Sequence, residues 1–163
     1  MPERWVLNAS PIIVLARVEQ EHLFGALTDE IVVPRAVAGE IEAGPVNDPA
    51  RRVITGGQFT IVDVAPVPEI LAWDLGDGET AVLSYALEEP GWTAILDDAA
   101  ARKCGRSFDL PLKGTLAVVI LAKQHGLIPS ASEVLHSLLR NSFRLDERVI
   151  REALSRTVGE KWD

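Results

Sequence analysis

Apolar residues recur along this chain in two rhythms, and the changes between them mark out alternating strands and helices. Short apolar runs read as buried strands at Trp5 to Leu7, Glu30 to Val33 and Trp92 to Leu96. Phe59 to Val64 alternates polar with apolar residues and reads as an edge strand, and Leu110 to Leu112 as a last short strand. Between them the spacing turns helical. Ser10 suits an N-cap with Pro11 at the first helical position, opening a helix that runs to Val18, and a second short helix covers Glu21 to Leu27. Pro34 opens a helix that places Val37, Glu40, Ile41 and Gly44 on one face and ends at Gly44-Pro45, and Asn47 to Arg52 start another.

Pro66 and Pro68 make the next link a loop. Gly76-Asp77-Gly78 is a turn, after which Glu79 opens a helix reaching Leu87. Ala99 to Cys104 form a short helix, and Gly114-Thr115 opens a strongly apolar one that stops at Gly126. Ser130 to Glu133 match a capping box, and Asp146 caps a final helix reaching about Ser155, beyond which the chain frays. Strands that alternate with helices imply an α/β fold: a mostly parallel sheet covered on both faces, in three α/β/α layers. With no repeat, low-complexity tract or linker, residues 1–163 read as one domain.

Composition narrows the function classes. A chain of 163 residues with 47% hydrophobic content is long enough for a true core. The single cysteine, Cys104, excludes an internal disulfide and reads as a small buried residue suited to a reducing compartment. The sequence shows neither a signal-like leader nor an apolar run long enough for a bilayer, so a cytoplasmic protein without a membrane span is expected. A formal net charge of −8 argues against coating nucleic acid through a broad positive field, but not against a local grip on one strand. Arg102, Lys103, Arg106 and Lys113 supply a local basic group, whose plain alternative is a solvated helix face.

The candidate chemistry lies in the carboxylates. Asp97 and Asp98 close a buried strand side by side, where two like charges repel unless a cation is near. In a parallel sheet the carboxyl ends of the strands share one edge, and Asn8, Asp97 and Asp98 all fall there. Glu79 begins a helix at that edge, and Glu40 lies two turns into another with its side chain expected to point inward. Acids from separate segments meeting at one edge suggest a Mg²⁺ or Mn²⁺ site that activates water against a phosphodiester. Each residue has a plainer role: Asp98 as an N-cap, Glu79 as a charge at a helix N-terminus, and Glu40 reaching solvent or pairing with Arg51 or Arg52.

Five ordered motifs carry a resemblance. They are W-V-L-N-A-S-P-I-I-V-L-A, V-V-P-R-A-V-A-G-E-I, G-D-G-E-T-A-V-L-S-Y-A, A-I-L-D-D-A-A-A-R and L-K-G-T-L-A-V-V-I-L-A-K. Together, over Val6 to Gly126, the chain is similar to PIN-domain proteins, and resembles most the compact prokaryotic branch related to the toxins of toxin–antitoxin pairs. The resemblance implies a PIN-like fold, Mg²⁺ or Mn²⁺, cleavage of single-stranded RNA, a homodimer, and a small antitoxin protein as partner. It places the metal ligands on Glu40, Glu79 and Asp97 or Asp98, with Ser10 and Thr115 as supporting hydroxyls, while Arg102 and Lys113 of the local basic group are candidate support or RNA contacts. The first-strand acid of the family falls on Asn8, an amide, so one negative charge is missing from the cage. That departure leaves two functions: a working endoribonuclease, or a catalytically impaired PIN-like protein that binds or regulates.

Other chemistries lack their signatures. His22, His125 and His136 are scattered without zinc-ligand spacing, and Gly76-Asp77-Gly78 lacks the Lys-Ser/Thr ending of a phosphate loop. Ser10 and Ser84 sit in no nucleophile elbow, and the order of acids does not suit a phosphoacceptor receiver. The four tryptophans read as core or interface anchors.

Overall fold

Strand β1 (Arg4–Leu7) lies at the centre of the sheet, and its Trp5, Val6 and Leu7 are fully buried. A strand covered on both faces needs a continuous apolar run, which is why Trp-Val-Leu forms one here. The computed structural model describes residues 2–163. Its other strands are β2 (Glu30–Pro34), β3 (Thr60–Val62), β4 (Trp92–Ile95) and β5 (Leu112–Lys113), all parallel, in the order β3-β2-β1-β4-β5. The expected mostly parallel sheet is thus wholly parallel, and β3 does lie at an edge.

The helices are α1 (Ala9–Arg17), α2 (His22–Leu27), α3 (Arg35–Ala43), α4 (Pro49–Thr55) and α5 (Pro68–Leu71). They continue with α6 (Asp77–Glu88), α7 (Ala99–Ser107), α8 (Thr115–Gln124), α9 (Ala131–Arg140) and α10 (Glu147–Thr157). They cover the sheet in a three-layer α/β/α arrangement, with α6 against β1, β2 and β4, and α2 against β2 and α8. The strongly apolar helix α8 is packed inside the chain, with α2, α9 and α10 around it. Trp73 is half-buried against the core.

Three local readings change. Asn8, not Ser10, occupies the N-cap position of α1, so Ser10 lies inside the first turn and its hydroxyl is free for a tertiary contact. The link at Pro66 and Pro68 contains the short helix α5, because Pro68 needs no N–H at a first helical position and Ile70 anchors the turn in the core. The last strand lies later than Leu110 to Leu112, since Pro111 has no N–H for a ladder and only its carbonyl pairs, with the Ala94 N–H.

The residues expected to fray are docked. The first N–H groups of a helix have no partner within it. In α9 they are met by Glu160, whose carboxylate accepts from the Ala131 and Ser132 N–H groups at 2.9 Å and from the Ser130 hydroxyl at 3.0 Å. The Ser130 hydroxyl accepts in turn from the Glu133 N–H, one half of the expected capping box. Two residues on, Trp162 is buried and stacks on His136 of α9 at 3.8 Å between ring centres.

Burial acts to raise the Glu160 pKa, but its hydrogen bonds from Ser132, Ala131 and Ser130, with Lys123 nearby, outweigh this and hold it below the ordinary 4.5. A depressed folded-state pKa stabilises fully above the ordinary value and ceases to do so as pH falls through the depressed one. Glu160→Ala should therefore cost about 1 kcal/mol near neutral pH, a fall of about 2–4 °C in Tm for a chain of this size. The gap between the two proteins should close as the pH is lowered below 4.5, which thermal melts across pH will show.

Candidate active site

The strand order reverses beside β1: β2 and β3 lie to one side of it, β4 and β5 to the other. The crevice outside such a reversal, at the carboxyl ends of the strands, is where open α/β sheets build sites. Leu7 of β1 pairs with Ile95 of β4, and the Asn8 N–H extends the ladder to the Ile95 carbonyl at 3.0 Å. This register sets Asn8 and the Leu96-Asp97-Asp98 turn side by side.

Asp97 is held firmly. Its Oδ1 accepts from the Thr115 N–H at 2.8 Å, and its Oδ2 from the Thr115 hydroxyl at 2.7 Å and the Ser10 hydroxyl at 3.2 Å. Thr115 is fully buried, so α8 and α1 fix the carboxylate from two sides. Asp98 takes the plainer of its two roles, capping α7 through the Ala101 N–H at 2.9 Å while standing exposed at the rim. Arg102 donates to the Leu96 carbonyl and bears on the Asp97 side of Gly114. Lys113 pairs by backbone with Ile95, and no side-chain contact brings it to the cleft.

Asn8, Ser10, Glu79, Asp97 and Asp98 line one cavity of about 390 Å³. Glu40 is not in its lining. Glu40 is exposed as a residue while its carboxylate end turns in towards α6, and neither Arg51 nor Arg52 pairs with it. Its Oε1 instead accepts the Gly78 N–H at 2.9 Å, at the start of α6. Burial of that end, with Glu79 and Asp77 nearby, pushes the Glu40 pKa up against the lowering effect of the Gly78 bond.

Gly78 explains how Glu40 and Asn8 come so close. A Cβ there would lie 2.7 Å from Glu40 Oε1 and 3.1 Å from Asn8 Oδ1, so only glycine leaves room for both. Asn8 is 3% exposed, and its Oδ1 is buried without a hydrogen-bond partner. A buried acceptor left unpaired is costly, commonly about 1–3 kcal/mol.

Among the described residues no three Asp, Glu, His or Cys side chains stand close enough to cage a metal by themselves. The donor set is nevertheless all oxygen, which suits a hard divalent cation, and Asn8 Oδ1 is an unused carbonyl beside Glu40 in a cavity lined by Glu79, Asp97 and Asp98. Mg²⁺ is held through one or two carboxylates, with waters and substrate phosphate oxygens completing the shell, so a full protein cage is not required. The residues fit such an ion.

The sequence reading missed the far wall of the cavity: Ser142, Phe143 and Arg144, from the link between α9 and α10. They lie far from the acids in sequence, and the cap at Asp146 marks where the link ends without showing where it lands.

The chain is thus a wholly parallel α/β/α protein with acids and a buried amide gathered at its switch point. The chain belongs to the PIN-domain family, whose sequence profile matches residues 4–159. No curated protein matches the chain. Proteins of this family generally depend on a divalent metal, and among the described residues no helix is long and apolar enough to cross a membrane.

Gly78→Ala tests the convergence. The added methyl meets the movable end of Glu40 but also the buried Asn8 Oδ1, which offsets the gain of about 1 kcal/mol from replacing a helical glycine, so Tm should hold or fall slightly. The stabilisation by added Mg²⁺ or Mn²⁺ in thermal melts should shrink, because Glu40 is pushed away.

Proposed function

We propose that this chain, working as one PIN-like domain, is a metal-dependent endoribonuclease that cuts single-stranded RNA and serves as the toxin of a toxin–antitoxin pair in the cytoplasm. The observation that carries the reading is the buried, unpartnered Asn8 Oδ1 beside Glu40, in the crevice that also holds Glu79, Asp97 and Asp98. An orphaned acceptor in an acidic crevice is explained by a cation that completes it.

Asp97 and Glu79 of the cavity would hold Mg²⁺ or Mn²⁺, with Asn8 giving its carbonyl oxygen, water completing the shell, Glu40 adding charge from behind Asn8 and Asp98 standing at the rim. Bound there, the cation would polarise the phosphodiester and lower the pKa of an attacking water. The residues of the chain do the positioning. Thr115 and Ser10 hold Asp97 in one orientation, so its carboxylate needs no reorganisation as charge develops. Hydrolysis adds the water oxygen to phosphorus, breaks the bond to the leaving ribose oxygen, and passes a proton to that oxygen. Arg102, half-buried beside Asp97, is the basic group of this side of the crevice, and Lys113, outside the cavity lining, would meet the RNA only beyond the cleft. A homodimer and a small antitoxin protein belong to the same reading, and light scattering at micromolar concentration should report the dimer.

Purified protein should cut single-stranded RNA with Mg²⁺ or Mn²⁺ and stop with a chelator. Asp97→Asn should abolish cleavage. Thr115→Val, which removes one of the bonds that orient Asp97, should slow it by about 10–100-fold. Asn8→Asp should tighten divalent binding and speed cleavage, and should lower the metal-free Tm by crowding a third carboxylate beside Glu40 and Asp97. The second reading, a binding or regulatory protein, rests on the amide at position 8: it holds if the native chain is inactive and Asn8→Asp cuts. If neither cuts, the nuclease reading is wrong.

A further inference from the structure

The far wall of the crevice is built by a feature outside the acidic motifs. Helix α9 ends at Asn141, after which Ser142 takes a left-handed backbone with φ of 75°. The Phe143 N–H then bonds back to the Leu138 carbonyl at 3.0 Å, and Asn141 closes on Ser137 and Leu138. This is the six-to-one bond of a Schellman ending, which turns the chain in a fixed direction and sends the residue after it into an apolar contact. Phe143 is that residue: it is buried, and it separates the acidic cavity from a neighbouring hollow lined by Leu116, Leu145 and Val149.

With Phe143 locked inward, Arg144 falls at the mouth of the acidic cavity. It is exposed, and among the described residues it makes no ion pair. It is the only cation in the lining of a cavity that also presents Glu79, Asp97 and Asp98. A guanidinium attracted to those acids as a counter-ion would be expected to close on one of them, yet it does not. In a chain of net charge −8 that must accept a polyanion, an unpaired guanidinium on a fixed turn is suited to a phosphate, which it can grip with two parallel hydrogen bonds.

We infer that Arg144 is a substrate-binding residue: it takes a backbone phosphate of the single-stranded RNA next to the scissile one and holds the strand across the acids. The inference rests on the nuclease reading and adds to it a contact supplied by the α9–α10 link. Because the contact is to the backbone, it is indifferent to base sequence.

The test is fluorescence anisotropy with labelled single-stranded oligonucleotides of two unrelated sequences, in chelator so that nothing is cut, over a series of salt concentrations. Arg144→Ala should weaken binding of both sequences by a similar several-fold factor. It should also reduce the slope of log K against log salt by about 0.7, the share of one phosphate contact on a single strand. Arg144→Lys should recover most of the slope and less of the affinity, and Tm should not change. If the native chain binds RNA and Arg144→Ala binds it with the same affinity and slope, Arg144 is not a phosphate contact, and the nuclease reading survives. A metal-free Tm that falls in Arg144→Ala with RNA binding unchanged identifies a counter-ion for the acids and likewise overturns the inference. If the native chain binds neither oligonucleotide in chelator, Arg144 makes no phosphate contact of its own and this inference is overturned, while the nuclease reading is decided by its cleavage test.

Discussion

The pairing of β1 with β4 is the constraint on which the site depends. Leu7 faces Ile95 across two central strands, and one further ladder bond carries Asn8 into register with the turn that bears Asp97. A slip of one residue would turn the side chains of β1 to the opposite face, exposing part of Trp5-Val6-Leu7 and carrying Asn8 away from the crevice. The full burial of those three residues therefore holds the site in place as well as the core. Packing energy and site geometry are set by the same few residues, which is why the crevice can gather repelling carboxylates without loosening the sheet.

The acids are not equivalent. Asp97 is fixed by three hydrogen bonds from Thr115 and Ser10, whereas Asp98 caps a helix and Glu40 leans on a single backbone N–H. Asn8 is the deepest of the set and carries no charge. An aspartate in its place would stand against Glu40, whose pKa is already pushed up by burial and by neighbouring acids. The amide thus lowers the repulsion that the empty crevice must bear, at the expense of attraction for a cation.

Most of the framework was legible in the sequence because it depends on local chemistry. The apolar runs of β1, β2 and β4, the alternation of edge strand β3, and the caps at Ser130 and Asp146 all identify themselves within a few residues. The convergence of Asn8, Glu79, Asp97 and Asp98 followed from the rule that parallel strands end on one edge. What could not be read depended on partners far away. Nothing near Ser10 shows that its hydroxyl turns to Asp97, 87 residues on, and nothing near Glu40 shows that Gly78 draws its carboxylate sideways. Phe143 and Arg144 were illegible for the same reason: their place follows from how α9 packs on α8 and α1.

The carboxylate of Glu160 at the start of α9 has a consequence for the order of assembly. Its partners Ser130, Ala131 and Ser132 precede it by about thirty residues, so during synthesis α9 emerges with those groups unmet. A helix of that length is marginal alone in water, and its stability comes from packing and from its ends. The turn that seats Phe143 between two hollows grows from the far end of this same helix. On a ribosome, then, the acidic wall of the crevice is complete in sequence well before the opposite wall has a secured support. The helix that carries the opposite wall is thus completed, at its start, by a residue made after the wall itself.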